Sequence, residues 1–326
     1  EGFSELWLQP IETNGKPLVT FFNGKPQKVA LPGQGVISGM TFDRGQTKLA
    51  FAFSSPKSSG EIWVYDLENK SLDQITKSDQ AGIDPKSYVA PELIKYKSFD
   101  GREIPAWYYP PKGVEYLKLK DQPYRLFAFS KVVGTGPNRR LSGYKVPVIV
   151  SVHGGPESQS RPGFNPLFQY YISRGYAVLD LNVRGSTGYG KTYTHLDDVE
   201  KREDSVKDLA YSVEWLKTKG GADGKRVAVM GGSYGGYMTM AAITLYPDLW
   251  AAAVASVAIT NWETFLTNTS GYRRRQREVE YGRLDRDIEF LRRISPVRKI
   301  DRIRTPLFVI SGRNDPLQQD HHGKKR

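Results

Sequence analysis

The sequence predicts an α/β protein: a doubly wound, mostly parallel sheet preceded by an all-β segment. Three observations predict it. From Glu92 onward, apolar strand-like runs alternate with helix-like runs, as in a parallel sheet covered by helices on both faces. Residues 1–85, by contrast, hold short strands and turn residues with no helical period. Within the alternating part, Met230-Gly-Gly-Ser-Tyr-Gly-Gly-Tyr237 joins the apolar run Arg226–Met230 to the helix-like stretch Met238–Leu245.

The first segment carries Leu18-Val-Thr-Phe-Phe22 before Asn23-Gly24, then Lys48–Phe53 and Glu61–Asp66, with turns at Phe42–Gly45 and Asp66–Lys70. Evenly spaced antiparallel strands suggest a sandwich piece or part of a β-propeller, too few to close a ring. Pro85–Pro91 reads as a linker, so residues 1–85 and 86–326 are the expected domains. In the second, Leu93–Lys97 and Ile104–Tyr109 are strand-like and joined at Asp100-Gly101. Pro147–Val152 is a nearly continuous apolar strand, as a buried parallel strand should be. A helix around Pro166–Ser173 and the strand Tyr176–Leu181 follow. Asp204–Lys219 places Val206, Leu209, Ala210, Val213 and Leu216 at helical spacing. The strands Ala251–Ser256 and Pro306–Ser311 complete the alternation. Lys112–Lys145 fits neither pattern; basic and broken by glycines and Pro137, it reads as a long inserted loop.

Strand, sharp turn, helix, with Ser233 at the turn, is the nucleophile elbow of an α/β-hydrolase. Small residues at Gly231 and Gly235 let the backbone bend that tightly. The N–H of Tyr234 then lies at a helix N-terminus, where it can stabilise an oxyanion. A second donor is available at His153-Gly154-Gly155-Pro156, just past a central strand, where glycine amides can approach a bound carbonyl closely. The third element is Ser311-Gly-Arg-Asn-Asp315-Pro, after the last apolar strand. An Asp there would orient a histidine, and Ser before Asp before His is the α/β-hydrolase order.

Composition narrows the classes. No apolar run approaches 18 residues, so no membrane span is expected. Without cysteine, disulfides, thiol catalysis and thiolate metal sites are excluded, and cytoplasm and periplasm fit alike. No cofactor is expected. Of the net charge of +12, half lies between Gly271 and Arg304, where 12 basic residues face 6 acidic ones. That stretch lacks interleaved aromatics and a binding module, so it reads as a solvated face and no nucleic acid is expected as partner.

Val150–Pro156, Asn182–Gly190, Gly231–Gly236 and Gly312–Pro316, in this order and spacing, resemble the prolyl oligopeptidase family of serine peptidases. The Ser-Tyr-Gly-Gly-Tyr form is most similar to its dipeptidyl-peptidase and acylaminoacyl-peptidase branches. The resemblance covers about Glu92–Pro316, and the first segment resembles the last part of that family's propeller. It implies Ser233 as nucleophile, Asp315 as triad acid, and the amides of Tyr234, Gly154 and Gly155 as the oxyanion hole. It also implies a peptide substrate, bound with a small apolar residue or proline before the scissile bond. Tyr234, Ile259, Trp262 and Phe265 would line that slot; alternatively, Trp262 and Phe265, three apart, are core residues of a helix. Arg184 is expected to hold the loop before Tyr189.

The pattern breaks at the base. The family's histidine lies thirty or more residues beyond the Asp, after a helix and a strand, and only 11 residues follow Asp315 here. His153 belongs to the oxyanion turn, His195 follows no strand end, and His321 and His322 stand too close to Asp315. The chain, which opens on Glu1, is therefore expected to be truncated at both ends and shifted in frame after Pro316. A carboxylesterase on the same fold, or a non-catalytic protein binding through Arg273–Arg304, are the other readings.

Overall fold

The apolar run around Val146–Val152 becomes the centre of a seven-stranded sheet. In the computed structural model, which describes residues 2–13, 20–22, 24–112, 115–118, 127–133, 140–313 and 315, the chain divides into two units. The first is Glu1–Ala90 with Arg161–Pro166, the second Pro91–Ser160 with Leu167–Arg326.

The larger unit contains strands β1 (Glu92–Lys97), β2 (Glu103–Tyr109), β3 (Val146–Val152), β4 (Ala177–Leu181), β5 (Ala222–Gly232), β6 (Ala252–Ser256) and β7 (Leu307–Ile310). Their order across the sheet is β7-β6-β5-β3-β4-β2-β1. Every pair from β4 to β7 is parallel, and β1 and β2 are antiparallel additions at the far edge. Central strands need apolar residues on both faces. Accordingly β4 is buried at all five positions and β3 at five of seven. The α-helices longer than one turn are α1 (Pro166–Ser173), α2 (Arg202–Thr218), α3 (Tyr234–Leu245), α4 (Trp262–Asn268), α5 (Gly271–Tyr281) and α6 (Ile288–Ile294). Helix α3 is buried from Tyr234 to Thr244, which its nearly uniform apolar and small-residue sequence permits. This is the doubly wound α/β sheet that the alternation predicts. At its other edge β7 leaves Phe308, Val309 and Ile310 exposed.

The smaller unit is all-β. Val36–Phe42, Lys48–Ser55, Ser58–Asp66 and Ser71–Gln74 form an antiparallel meander, and two short hairpins pair Leu6–Leu8 with Gln27–Val29 and Ile11–Thr13 with Thr20–Phe22. Leu6, Val29, Leu49, Phe51 and Phe53 make its core. Arg161 joins it by donating to the Gly2 carbonyl at 2.9 Å and to Ser4 Oγ at 2.8 Å.

One expectation is corrected. The stretch 112–145 is not a structureless loop: Glu115–Lys118, Phe127–Val133 and Arg140–Tyr144 form a three-stranded antiparallel sheet. Phe127-Ala-Phe-Ser-Lys-Val-Val133 carries the aromatic and β-branched residues of a strand. The basic, glycine-bearing segments around it dilute that signal over the whole window.

A buried carboxyl lies in the sheet. Asp180 on β4 is held by the hydroxyls of Ser160 and Ser151, yet burial outweighs these bonds and pushes its pKa up to about 7. The folded state therefore holds this proton more tightly than the unfolded chain, whose Asp titrates near 3.9. The stability contributed is complete below about pH 4 and is lost as pH rises towards 7, by at most about 4 kcal/mol. Asp180→Asn keeps an acceptor for one serine and cannot ionise. Urea unfolding at pH 5 and pH 8 is expected to show a smaller stability difference for this variant than for the wild type. An unchanged difference would show that Asp180 titrates normally.

Candidate active site

Ser233 stands between the carboxyl end of β5 and the first residue of α3, at φ 56° and ψ −119°. That conformation is costly for a non-glycine residue and persists where surroundings enforce it. The enforcing contacts are visible. Ser233 N–H donates to the Ser256 carbonyl at 2.9 Å, fixing the turn to β6, and Tyr237 N–H donates back to the Ser233 carbonyl at 3.1 Å. A Cβ at Gly231 would sit 2.3 Å from the Gly235 carbonyl oxygen, and one at Gly235 would sit 2.2 Å from that of Val152. Only glycine fits either place. The serine itself is exposed, the tyrosine after it buried, and the hydroxyl makes no capping bond to α3. It faces outward beside a helix N-terminus.

The glycine turn after β3 lies next to it. A Cβ on Gly154 would be 3.4 Å from Ser233 Cβ and 3.9 Å from Ser233 Oγ. Gly155 follows at φ 126°. The structure thus brings Ser233, Tyr234, Gly154 and Gly155 to one point. His153 is committed elsewhere: its Nε2 is 2.8 Å from Ser186 Oγ and its Nδ1 2.7 Å from the Gly154 carbonyl oxygen. Burial lowers its pKa, keeping the ring neutral. His195 pairs with Asp198, Nδ1 to Oδ2 at 2.9 Å.

Asp315 lies just past β7, its N–H donating to the Gly312 carbonyl at 3.1 Å. Since β5, β6 and β7 run parallel, Ser233 and Asp315 both follow carboxyl ends of the sheet. That is the edge where α/β proteins bind ligands. His321 and His322 fall outside the described residues.

The expected slot residues are together and closely packed. Tyr234, Ile259, Trp262 and Phe265 are all buried, and Asn261 caps α4 by accepting from the N–H groups of Glu263 and Thr264. Trp262 meets Phe265 edge-on at 5.6 Å, and Tyr234 lies 6.4 Å from Trp262, centre to centre. Two aromatics that the sequence did not assign to the slot, one of them the last residue of the elbow motif, complete the cluster. Tyr237 is 4.8 Å from Trp262, and Tyr281 is 4.5 Å from Trp262 and stacked on Tyr234 at 6.3 Å. Beneath them is the fully buried Arg202, ion-paired with Asp197 and donating to the Tyr234 hydroxyl at 3.0 Å. Arg202 stands two residues before the helix read from apolar spacing, so no sequence signal separates it from a surface arginine. Arg184 holds the end of β4 to α2 through Asp208, while Asn182 holds the Tyr189 hydroxyl at 3.0 Å.

An exposed serine on a strained strand-to-helix turn, with a glycine turn against it, defines an α/β-hydrolase. Residues 162–322 match the prolyl oligopeptidase family. This segment is a prolyl oligopeptidase family domain. Dipeptidyl aminopeptidase BIII of Pseudoxanthomonas mexicana is 36% identical over 176 residues, covering 52% of this chain and 26% of that protein. Dipeptidyl peptidase family member 6 of Caenorhabditis elegans is 29% identical over 315 residues, 91% of this chain and 40% of the other. Among solved structures, a puromycin hydrolase superposes with a TM-score of 0.72 at 25% identity, over 88% of this chain and 40% of that one. The acylaminoacyl peptidase of Pyrococcus horikoshii gives 0.68 at 25% identity, over 90% and 42%. The chain spans between a quarter and two fifths of these relatives' lengths.

Proposed function

We propose that this chain carries the reaction centre of a serine peptidase that cleaves short peptides through an acyl-enzyme on Ser233. The observation that carries the reading is the exposed Ser233 on its strained turn, with Gly154 against it. Ser233 Oγ attacks the carbonyl carbon of the scissile amide as its proton passes to a base. The amine departs with that proton, and water then hydrolyses the ester. Amides of Tyr234 and of the Gly154–Gly155 turn stabilise the oxyanion in both halves. The aromatic lining from Tyr234, Trp262 and Phe265 with Ile259 favours proline or a small apolar side chain before the scissile bond. Asp315 orients the base.

That base is a histidine other than His153 and His195, whose bonds go elsewhere. His321 and His322 follow Asp315 by only six and seven residues. These 326 residues alone are therefore expected to be nearly inactive, because an unassisted serine hydroxyl is a weak nucleophile. Losing a triad member lowers turnover about a millionfold.

The test compares Ala-Pro and Ala-Ala p-nitroanilides with the matching p-nitrophenyl esters, using Ser233→Ala as control. Residual hydrolysis at most is expected from the chain alone. A rapid ester burst that disappears in Ser233→Ala would keep the nucleophile and overturn the statement about the base. Rapid turnover indifferent to Ser233→Ala would overturn the nucleophile. Turnover confined to the esters would make the protein a carboxylesterase.

A further inference from the structure

We propose that Arg202 and Tyr281 are positioning residues of the oxyanion hole, tying the glycine turn after β3 and the elbow residue Tyr234 to one buried frame. The inference rests on the function proposed for Ser233, and adds which residues hold its two oxyanion donors in register.

The frame can be followed atom by atom. The Tyr281 hydroxyl donates to the Gly155 carbonyl at 2.9 Å, which fixes the peptide that leaves the glycine turn. The Tyr281 ring stacks on that of Tyr234, nearly parallel at 17°. The guanidinium of Arg202 lies 4.9 Å from the Tyr281 ring centre and 5.3 Å from that of Tyr234. One Nη reaches the Tyr234 hydroxyl and Asp197, and the other donates to the Glu280 carbonyl at 2.9 Å. Tyr234 in turn donates to Asp197 at 3.1 Å. A single buried cation therefore touches the residue before Tyr281, the ring of Tyr281, and both ring and hydroxyl of the elbow tyrosine.

Such a cluster is a poor device for stability. Taking a guanidinium and carboxyls out of water costs about as much as their attraction returns. Arg202 Nε and Asp197 Oδ1 are buried without a partner among the described residues, a further cost. Burial pushes Asp197 up to about 6 and Glu280 up to about 8, against the pull of Arg202 in both cases. An apolar filling would serve packing as well or better. What the polar one supplies is direction, and the two groups it directs are the residues that carry the oxyanion amides. Donors of this kind work only when placed before charge develops.

Tyr281→Phe removes one hydroxyl and keeps the ring, so it separates positioning from packing. Two measurements on the 326-residue chain decide the matter. The first is amide hydrogen exchange, which needs no turnover. Exchange over residues 153–157 is expected to rise about tenfold, the equivalent of one hydrogen bond, while β5 and α2 stay unchanged. The second is binding of alanyl-boroproline, whose boron accepts Ser233 Oγ to form a tetrahedral anion as the serine proton passes to solvent. Its affinity is expected to fall about tenfold, with the affinity for the boron-free dipeptide amide unchanged. Arg202→Lys, if it folds, should do the same to both. Unchanged exchange at residues 153–157 in Tyr281→Phe would overturn the proposal, and so would a rise spread over the whole unit. Should the wild type form no boron adduct at Ser233, the nucleophile assignment fails, and the exchange result still decides whether Tyr281 holds the turn.

Discussion

Gly235→Ala is expected to destabilise the larger unit by about 3 kcal/mol or more and to remove any chemistry at Ser233. The new methyl would lie 2.2 Å from the Val152 carbonyl oxygen, 2.9 Å from that of His153 and 3.0 Å from the Val152 carbonyl carbon. All three are backbone atoms at the end of β3, so no side chain can rotate away. Relief requires α3 to move off the sheet. Ser233, the N-cap residue of that helix at φ 56°, would move with it and lose the enforced turn that exposes its hydroxyl. Gly232→Ala is the matched control three residues earlier, at the last position of β5. Its methyl would meet nothing nearer than the Ser256 carbonyl oxygen at 3.7 Å, an ordinary contact. The two variants carry the same added atom and the same entropy term in the unfolded chain, so their difference isolates the clash. Urea midpoints read it directly. If Gly235→Ala unfolded within about 0.5 kcal/mol of Gly232→Ala, the tight approach of α3 to β3 would be wrong.

The features legible in the sequence are those with a local cause. Continuous apolar runs gave β3 and β4 because a strand buried on both faces cannot carry alternating polar residues. The elbow was legible because glycine at 231 is demanded by sterics against Gly235, four residues on; the demand at 235, set by the Val152 carbonyl, was legible only through the G-x-S-x-G spacing of the motif. The glycine turn after β3 was readable for a similar reason. Residues whose role depends on distant partners were not. Val206, Leu209, Val213 and Leu216 mark the apolar side of α2, which leaves Asp208 and Arg202 to be read as solvent-facing. Yet both are fully buried, because their counter-charges come from Arg184, just past the end of β4, and from Asp197 in a loop. Tyr281, at the end of an arginine-rich helix, looks like a surface residue until its hydroxyl is seen on Gly155. Periodicity reports hydropathy, and hydropathy assigns every charge to water. Pairing is settled by the fold.

The pair Arg184–Asp208 turns that lesson into the second large effect. Arg184 donates from Nη2 to Asp208 Oδ1 at 2.7 Å and from Nε to Oδ2 at 2.9 Å, with both side chains out of solvent. Asp208 also accepts from the Arg184 backbone N–H at 3.0 Å and from Ser98 Oγ. Even so, burial holds its pKa above the ordinary value. Arg184→Met leaves this carboxylate buried without a counter-charge and is expected to cost about 3–5 kcal/mol near neutral pH. Because Asp208 in the variant then holds its proton more tightly than the unfolded chain does, the penalty is absent below the unfolded pKa near 4 and grows as pH rises above it. Adding Asp208→Asn removes the charge and keeps an acceptor for the backbone N–H and the serine. The double variant is therefore expected to be more stable than Arg184→Met alone at pH 7, and to match it at pH 4. Denaturant unfolding of the four proteins of this cycle at both pH values measures the coupling. Equal losses for the single and double variants at pH 7 would mean that the stranded Asp208 carboxylate is not the source of the loss, which then lies in the other contacts of Arg184: its ion pair with Asp100 at 3.1 Å and its packing over the Phe99 ring, 4.5 Å away.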